Sequence, residues 1–365
     1  MPKRVLGNDP FQRGAAERPP PRPAPKAPAR PRRPASTAAR VAPASPPPRP
    51  APAGPGAPKP RAEEARPAPP AKGTPAGPPL DLSAALGALR GAVEALRAGI
   101  GSPADVELDV YGGDLRLQAA VAPLAEFLYT HWFRVTVEGA EHLPKGGALL
   151  VANHSGALPI DGPLLHQALR RTRPELPDPR WLVEDQVFYA PVVGTLLNRL
   201  GAVRASPENA TRLLGEGRAV LVFPEGIQGI GKPFRERYRL KRFGRGGFVK
   251  LALRTGVPIL PVAVVGGEES LPLLAKLPAG FLGMPYLPVT PLGPVPLPAK
   301  WSVRIGPPIP LPKPGAGAAR PGARPGAPDE VATLAVIEAL VERTRRGIEE
   351  MLQQLLRDRG GVFSG

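Results

Sequence analysis

One histidine and one aspartate near the middle of the sequence are suited to acid–base chemistry. His154 follows "GALLVAN", an apolar run typical of a buried strand, and Asp161 follows the short loop "SGALPI". A neutral imidazole acts as a general base when a carboxylate fixes its tautomer and stabilises the imidazolium. Gly156 and Pro159 would let the loop fold the carboxylate back onto the ring. The alternative is a histidine that only hydrogen-bonds its loop, because such a spacing is common by chance.

A second set of candidate residues lies about 70 positions further on, where the apolar run "RAVLV" ends in "FPEG". These four residues are Phe223, Pro224, Glu225 and Gly226. The glycines that follow offer backbone N–H groups and Lys232 closes the run, a combination that suits phosphate binding. The segment is not a nucleotide-binding P-loop, because it lacks the Gly-Lys-Ser/Thr of that motif.

A dense run of cations begins at Lys232. Residues 232–245, "KPFRERYRLKRFGR", carry seven lysines and arginines and one acid, Glu236. Alternation along this segment would place Arg237 and further cations on one side and Tyr238 on the other. Arg204 directly follows the short strand "GAV" and is expected at the same edge of the sheet. These cations indicate an anion-binding surface, and a solvated charged face is the alternative.

The elements that position these residues alternate between strands and helices. This alternation predicts an α/β fold, with a mixed and largely parallel central sheet flanked by helices. In such sheets ligands bind at the carboxyl ends of the strands, where "VANH" and "VLVFPEG" both end. The predicted strands lie in FRVTVEG, GALLVAN, WLVED, AVRA, RAVLVFPEG, VPILPVAVVG and WSVRIGPPI. The predicted helices include DGPLLHQALRR, capped by Asp161, and SPENATRLLGEG, capped by Ser206.

The chain divides into five predicted parts. Residues 1–80 are rich in Pro, Ala and Arg and carry 15 Lys and Arg against 4 Asp and Glu, so we expect a disordered basic tail. A helical segment over 81–133, whose second helix kinks or begins at Pro123, should precede the main domain at 134–310. A Pro/Gly linker at 311–328 and an amphipathic helix at 329–358 should follow. The apolar stripe of that last helix comprises Leu334, Ile337, Val341, Ile348, Leu352 and Leu355.

Residues 277–300 are too rich in proline to predict regular structure. We expect an ordered, extended and apolar excursion here. It would either wall a groove for a lipid or cover the sheet as a loop.

Composition limits the classes of function. The chain has 365 residues and a net charge of +17, of which the tail supplies +11 (15 minus 4). A flexible cationic arm binds polyanions such as anionic lipid, nucleic acid or acidic proteins. The alternative is a linker whose basic composition only reflects a genome biased toward Ala, Pro and Arg. The absence of cysteine excludes disulfides and thiol nucleophiles. No apolar leader or ~18-residue apolar stretch is visible, so we expect a cytoplasmic protein that lies on a membrane if it meets one.

Four segments together resemble a known family, the phospholipid/glycerol acyltransferases that include lysophosphatidic acid acyltransferases. They are "VANHSGALPIDG", "GAVRASPEN", "VLVFPEGIQGIGK" and "VPILPVAVVGGEE", and the resemblance covers about residues 130 to 310. It implies that His154 deprotonates an acceptor hydroxyl, which attacks an acyl thioester, and that Asp161 orients His154. The resemblance further implies an acceptor site at Arg204, Glu225 and Gly226, and an acyl or thioester pocket shaped by Pro258. From their place in the "FPEG" turn and the basic run, we also expect Phe223, Pro224, Lys232 and Arg237 to bind substrate.

The same resemblance implies a peripheral enzyme on the cytoplasmic face of an anionic membrane, without a metal, a cofactor or a specific nucleic acid. Its co-substrate would be acyl-CoA or acyl carrier protein, and its acceptor a glycerolipid of the lysophosphatidic acid type. However, six residues separate His154 from Asp161, more than the family usually has. This wider form is closer to a subgroup similar to mono- and diacylglycerol acyltransferases. Two alternatives therefore stay open, a neutral glycerolipid acceptor and a non-catalytic protein that binds lipid or polyanions.

Overall fold

The computed structural model describes residues 108–188, 193–280, 286–312 and 328–363, together with six helical residues between 83 and 94. The predicted basic tail and most of the predicted linker lie outside these residues. The described strands are β1 (Thr136–Glu138), β2 (Ala148–Ala152), β3 (Arg180–Val183), β4 (Ala202–Arg204), β5 (Ala219–Val222), β6 (Ile259–Val265), β7 (Ala275–Pro278), β8 (Tyr286–Val289) and β9 (Ser302–Ile305).

Seven of these strands form a central sheet in the order β1-β9-β6-β2-β5-β3-β4. The strands β6, β2, β5, β3 and β4 run parallel to one another, while β9 is antiparallel to β6 and parallel to β1. The sheet is therefore mixed and largely parallel, as the sequence predicts. Its middle strand β2 is apolar throughout and completely buried, as expected of a parallel strand covered on both faces.

The described helices longer than one turn are α1 (Leu115–Phe127), α2 (Asp161–Thr172), α4 (Val193–Arg199), α5 (Pro207–Gly215), α7 (Gly247–Thr255) and α9 (Pro328–Asp358). Single helical turns occur as α3 (Asp185–Phe188), α6 (Ile227–Ile230) and α8 (Gly267–Ser270). None of the helices within the described ranges has an apolar stretch long enough to cross a bilayer.

The structure agrees with the predicted cap at Ser206, excludes Pro123 as a helix start and leaves it inside a helix, and differs from the prediction at Asp161. Ser206 caps α5 by accepting a hydrogen bond from the Asn209 N–H, as predicted. Pro123 neither starts nor ends a helix but lies inside α1, which continues into a π-helical turn. Asp161 is the first residue of α2 rather than its cap, and its side chain accepts a hydrogen bond from the preceding loop instead.

The helix α9 completes the core on one face of the sheet. Its buried residues belong to the same apolar cluster as residues of β2, β5 and β6. The predicted stripe is confirmed except at its start, because the Leu334 side chain is half exposed to solvent. The residues of α9 that are buried in this cluster are Ile337, Leu340, Ile348, Met351, Leu352 and Leu355.

The proline-rich excursion is more regular than predicted. The strands β7 and β8 pair antiparallel as a separate two-stranded sheet, with Leu277 opposite Leu287. Prolines are tolerated on edge strands, where a missing N–H costs no ladder bond, and an isolated pair consists only of edges. The prediction of irregular structure is therefore wrong for the six strand residues that lie within 277–300, namely 277–278 and 286–289.

Candidate active site

The structure places His154 and Asp161 in direct contact at the carboxyl end of β2. The imidazole Nδ1 and the carboxylate Oδ2 are 2.6 Å apart, and Asp161 is fully buried. The same carboxylate accepts hydrogen bonds from the backbone N–H groups of Ser155 at 2.9 Å and Gly162 at 3.1 Å. Because an ionised carboxylate can only accept, Nδ1 carries the proton in the neutral ring and Nε2 is the basic nitrogen. This is the arrangement that a histidine base requires.

The loop between the two residues is built to close this contact. Gly156 has a φ of +84°, and a Cβ at this position would lie 2.8 Å from the carbonyl oxygen of Gly267. The Ala157 N–H donates to the Leu271 carbonyl at 2.9 Å, so the loop is fastened to the segment after α8. Only glycine combines this backbone conformation with this close approach. The wide spacing therefore forms a compact loop rather than separating the pair.

A cavity beside His154 lies between the ends of β2, β5 and β3. Its volume is about 80 Å³, room for roughly two or three water molecules. One wall is Phe223, whose ring stacks on the His154 imidazole with centroids 4.4 Å apart. The lining residues are His154, Pro159, Asp161, Gly162, Trp181, Leu182, Val183, Glu184, Gln186, Val187, Phe223, Gly226, Ile227 and Ile230. The lining contains two carboxylates and no lysine or arginine.

Glu225 is joined to His154 through the backbone. One carboxylate oxygen accepts from the His154 N–H at 2.9 Å, and the other accepts from the Lys241 N–H at 2.7 Å. The side chain is completely buried, so it has no surface in the cavity. The structure thus places Glu225 behind the histidine, where it fixes the strand end and the basic segment relative to each other. It does not bring this carboxylate to where the predicted acceptor would lie.

Lys232 also faces inward. Its ammonium lies 3.0 Å from Glu268 and 3.5 Å from Glu225, and its side chain is 1% exposed. Burial alone would lower the pKa of Lys232, but the two carboxylates outweigh it and raise the pKa above its usual value. Burial raises the pKa of Glu268 to about 6 against the opposing charge of Lys232. Lys232 is therefore a buried counter-ion in this structure, and the predicted contact with substrate would require it to leave both partners.

The acyltransferase family model matches residues 134–265, a range that contains the histidine loop, the cavity and the Glu225 turn. An uncharacterized protein of Mycobacterium tuberculosis is 42% identical over 272 residues, which are 72% of this chain and 73% of that protein. The chain belongs to the acyltransferase family.

Two named proteins are similar to this acyltransferase at lower identity. The probable 1-acyl-sn-glycerol-3-phosphate acyltransferase of Mycoplasma pneumoniae is 28% identical over 166 residues, 43% of this chain and 58% of that protein. The crystal structure of the 1-acyl-sn-glycerophosphate acyltransferase PlsC of Thermotoga maritima has a TM-score of 0.42 and 18% identity, and the match covers 77% of this chain and 98% of that one.

Of the acyltransferase residues predicted for the acceptor, Gly226 and Phe223 line the cavity and Pro224 does not. Gly226 has a φ of +55°, and a Cβ at this position would lie 2.4 Å from a carboxylate oxygen of Glu184. A side chain here would therefore collide with the cavity wall. Because it has no side chain, this glycine allows the backbone after β5 to turn close to Glu184 at the end of β3.

Arg204 and Arg237 lie outside the cavity. Arg204 is at the carboxyl edge of the sheet, as predicted, but β4 is separated from β5 by β3. Its guanidinium pairs with Asp185 at 2.5 and 2.8 Å and lines a separate groove with Tyr111 and Asn209. Arg237 is exposed and stacks over the Phe234 ring at 4.7 Å. A phosphate held by either arginine would extend beyond the cavity.

Pro258 lies at the opposite edge of the sheet from His154. It immediately precedes β6, and its carbonyl accepts from the Leu149 N–H near the start of β2. His154 follows the far end of β2, so the length of a strand separates the two positions. The predicted role of Pro258 in an acyl or thioester pocket at His154 is therefore not consistent with the structure. The histidine loop is instead contacted by Gly267, at the carboxyl end of the fourth segment, and by Leu271, two residues after that segment.

The wall formed by β3 was missed by the sequence analysis. Trp181 and Glu184 belong to the segment "WLVED", which we interpreted only as a short strand, and Gln186 directly follows it. The available signal was its position, because an acidic residue directly after a strand next to β5 must lie at the same carboxyl edge. Strand order, which the sequence does not give directly, is what brings this segment beside β5.

Proposed function

We propose that this acyltransferase transfers a fatty acyl group from an acyl thioester to a hydroxyl of a glycerolipid, with His154 as the general base. The observation that carries the proposal is the 2.6 Å contact between His154 and the buried Asp161 at the edge of a cavity. Nδ1–H donates to Asp161, so Nε2 has the lone pair needed to take a proton. The cavity admits the reacting end of a substrate, while longer chains and headgroups extend outward.

The reaction then follows the order of general-base catalysis. His154 removes the proton of the acceptor hydroxyl as its oxygen attacks the thioester carbonyl. The tetrahedral intermediate collapses, an ester forms, the carbon–sulfur bond breaks, and the imidazolium returns the proton to the departing thiolate. Asp161 stabilises the imidazolium throughout, since a buried carboxylate interacts strongly with a neighbouring positive charge. The donor is acyl-CoA or acyl carrier protein, both anionic, in agreement with the basic run at 232–245.

For the acceptor we propose a lysophosphatidic acid-type glycerolipid. Support comes from the Mycoplasma relative, which is named for a 1-acyl-sn-glycerol-3-phosphate acyltransferase reaction. The phosphate of such an acceptor would leave the cavity and meet the exposed arginines of the basic segment. A neutral mono- or diacylglycerol is the second candidate. The specific observation in its favour is the cavity lining, which has two carboxylates and no cation among the described residues.

An acceptor panel tests both candidates. Purified full-length protein would be given radiolabelled acyl-CoA with lysophosphatidic acid or monoacylglycerol, and His154→Ala would serve as the catalytic control. The first candidate predicts faster transfer to lysophosphatidic acid, and the second predicts faster transfer to monoacylglycerol. Transfer to neither acceptor, by a folded protein that still binds lipid vesicles, would contradict the enzymatic proposal and support a non-catalytic lipid-binding protein.

A further inference from the structure

Exposed apolar side chains cluster around the small sheet of β7 and β8. Of the 13 large apolar residues that are exposed in the described part of the chain, five fall between positions 274 and 295. Exposed apolar side chains concentrated in one short segment indicate a binding face more often than singly scattered ones do. The five residues are Leu274, Leu277, Leu287, Leu292 and Val295.

The pairing of the two strands determines which face is open. Lys276 and Tyr286 point toward the domain, since Lys276 Nζ and Tyr286 Oη lie 2.9 and 3.0 Å from the position of a Cβ on Gly231. Side chains alternate along each strand, so Leu277 and the directly opposed Leu287 lie on the other face. These two side chains are 52% and 44% exposed. We call the surface formed by Ala275, Leu277, Leu287 and Val289 the apolar hairpin face.

The hairpin is attached beside the candidate active site. Gly231, which contacts its inner face, directly follows Ile230, a residue of the cavity wall. The Phe234 N–H also donates to the Leu273 carbonyl at 3.1 Å, two residues before β7 begins. A surface that binds the apolar hairpin face is therefore close to the route by which a substrate would reach His154.

The segment that carries these contacts is also strongly basic. Its arginines at 235, 237, 239 and 242 are exposed, whereas its acid, Glu236, is already paired with Lys241 at 2.5 Å. Exposed apolar side chains next to exposed cations match the interface of a bilayer with anionic headgroups. A second copy of this chain is a poorer match, because pairing the hairpins would bring two basic segments together.

We propose that the apolar hairpin face and the neighbouring arginines dock this protein on an anionic lipid bilayer. Leu277 and Leu287 enter the boundary between headgroups and acyl chains, while the arginines bind headgroup phosphates. The inference rests on the proposed function, since a glycerolipid acceptor is held in such a bilayer and the docked cavity would open beside it. Neither the family match nor the catalytic proposal assigns a membrane-binding element to this chain.

Vesicle co-sedimentation of the full-length protein tests the proposal. Vesicles of phosphatidylcholine with 30% phosphatidylglycerol would be used at 0.1 M and 0.5 M salt, the higher value suppressing contributions from exposed charges. The variant Leu277→Ser/Leu287→Ser should bind about tenfold more weakly at both salt concentrations, because lost apolar burial is not screened. The matched control is Leu115→Ser/Leu356→Ser, which changes two exposed leucines on α1 and α9 and should bind like the unaltered protein.

The basic segment makes a separate contribution with a different signature. Arg235→Gln/Arg239→Gln should weaken binding about tenfold at 0.1 M salt and much less at 0.5 M salt. Equal binding by the hairpin variant and its leucine control would overturn the proposal. The proposal would also be overturned if the hairpin variant changed its oligomeric state, measured by light scattering, but bound vesicles normally. That result would identify a second copy of the chain as the partner of the apolar hairpin face. His154→Ala should bind vesicles normally, so a failure of the catalytic proposal is distinguishable from a failure of this one.

Discussion

The described chain contains two buried histidines that each contact an aspartate, and they differ in almost everything else. His154 lies 2.6 Å from Asp161, a fully buried carboxylate that also accepts two backbone N–H groups. His166 lies 3.2 Å from Asp178, which is 30% exposed and shared with Arg180 and a second arginine. The first pair stands at a strand end and lines a cavity, whereas the second links α2 to the loop before β3. A His–Asp contact therefore indicates a general base only when the carboxylate is not shared with other cations and when substrate can reach the imidazole ring.

The largest expected effect separates the two histidines. We expect His154→Ala to reduce acyl transfer about 10³-fold or more, because the general base is lost. His166→Gln, which can still donate to Asp178, should change the rate by less than about threefold. Initial rates with acyl-CoA and the better acceptor of the panel would measure both. Comparable losses in the two variants would mean that the comparison does not identify the base.

The two aspartates provide the next test. We expect Asp161→Asn to reduce kcat about 100-fold, because an amide N–H facing Nδ1 favours the tautomer with the proton on Nε2. Asp178→Asn is the matched control and should retain nearly full activity, since its histidine lies outside the cavity lining. Circular dichroism would establish that both variants fold. A fully active Asp161→Asn would leave Asp161 as a loop-stabilising residue only.

A smaller effect should come from Glu225, which supports the first pair and has no counterpart at the second. Glu225→Gln keeps an acceptor for one backbone N–H but leaves the Lys241 N–H facing an amide and weakens the pairing of Lys232. We expect kcat to fall about tenfold through displacement of His154, with KM changed less than twofold.

The control for this variant is Glu236→Gln, which removes a carboxylate of the basic segment at a more exposed position and should leave kcat unchanged. If Glu225 instead contacted the acceptor directly, KM would rise while kcat stayed near its original value. That outcome would contradict the positioning role and restore the role implied by the family resemblance.

The smallest effect concerns Glu268, the buried carboxylate that contacts Glu225 only through Lys232. Its pKa of about 6 exceeds its usual 4.5, so between these values the native state binds more protons than the unfolded chain. The free energy of unfolding should therefore fall as the pH rises through this window, by about 2 kcal/mol from this group.

Glu268→Gln should lack that fall, because an amide does not titrate. Urea unfolding of both proteins at half-unit steps from pH 4.5 to 6.5 would give their free energies of unfolding. In the difference between the two curves, the contributions of the other carboxylates cancel. Parallel curves would contradict the assignment. One Glu268 oxygen is buried without a hydrogen-bond partner, which is consistent with a site that tolerates a proton.

The sequence predicted the sheet and the histidine pair because both depend on local patterns. Apolar runs ending in "NH" and "FPEG" specify two strands and their loops, and parallel strands necessarily place both loops at one edge. The sequence could not show whether a side chain at this edge points into the cavity or into the protein interior. Glu225 and Lys232 are oriented inward by partners 16 and 36 residues away, Lys241 and Glu268. Arg204 was placed at the correct edge but two strands from β5, since strand order depends on packing across the whole domain.

The prediction for Pro258 failed for a different reason. A segment such as "VPILPVAVVGGEE" spans an entire strand, so its two ends are far apart in space even though they are close in sequence. The carboxyl end reaches the histidine loop through Gly267, and the amino end does not. Motif membership therefore does not imply proximity to a site unless the position along the strand is also known.

The packing of α9 has a consequence for folding during synthesis. The apolar surface that it covers belongs to β2, β5 and β6, all of which leave the ribosome before Ile337 and the residues after it are made. A nascent chain that already contains the histidine loop and the whole family-matched range must therefore present an uncovered apolar groove. We infer that this intermediate is the species most prone to aggregation and to capture by chaperones, and that ribosome-bound chains ending before α9 would remain protease-sensitive.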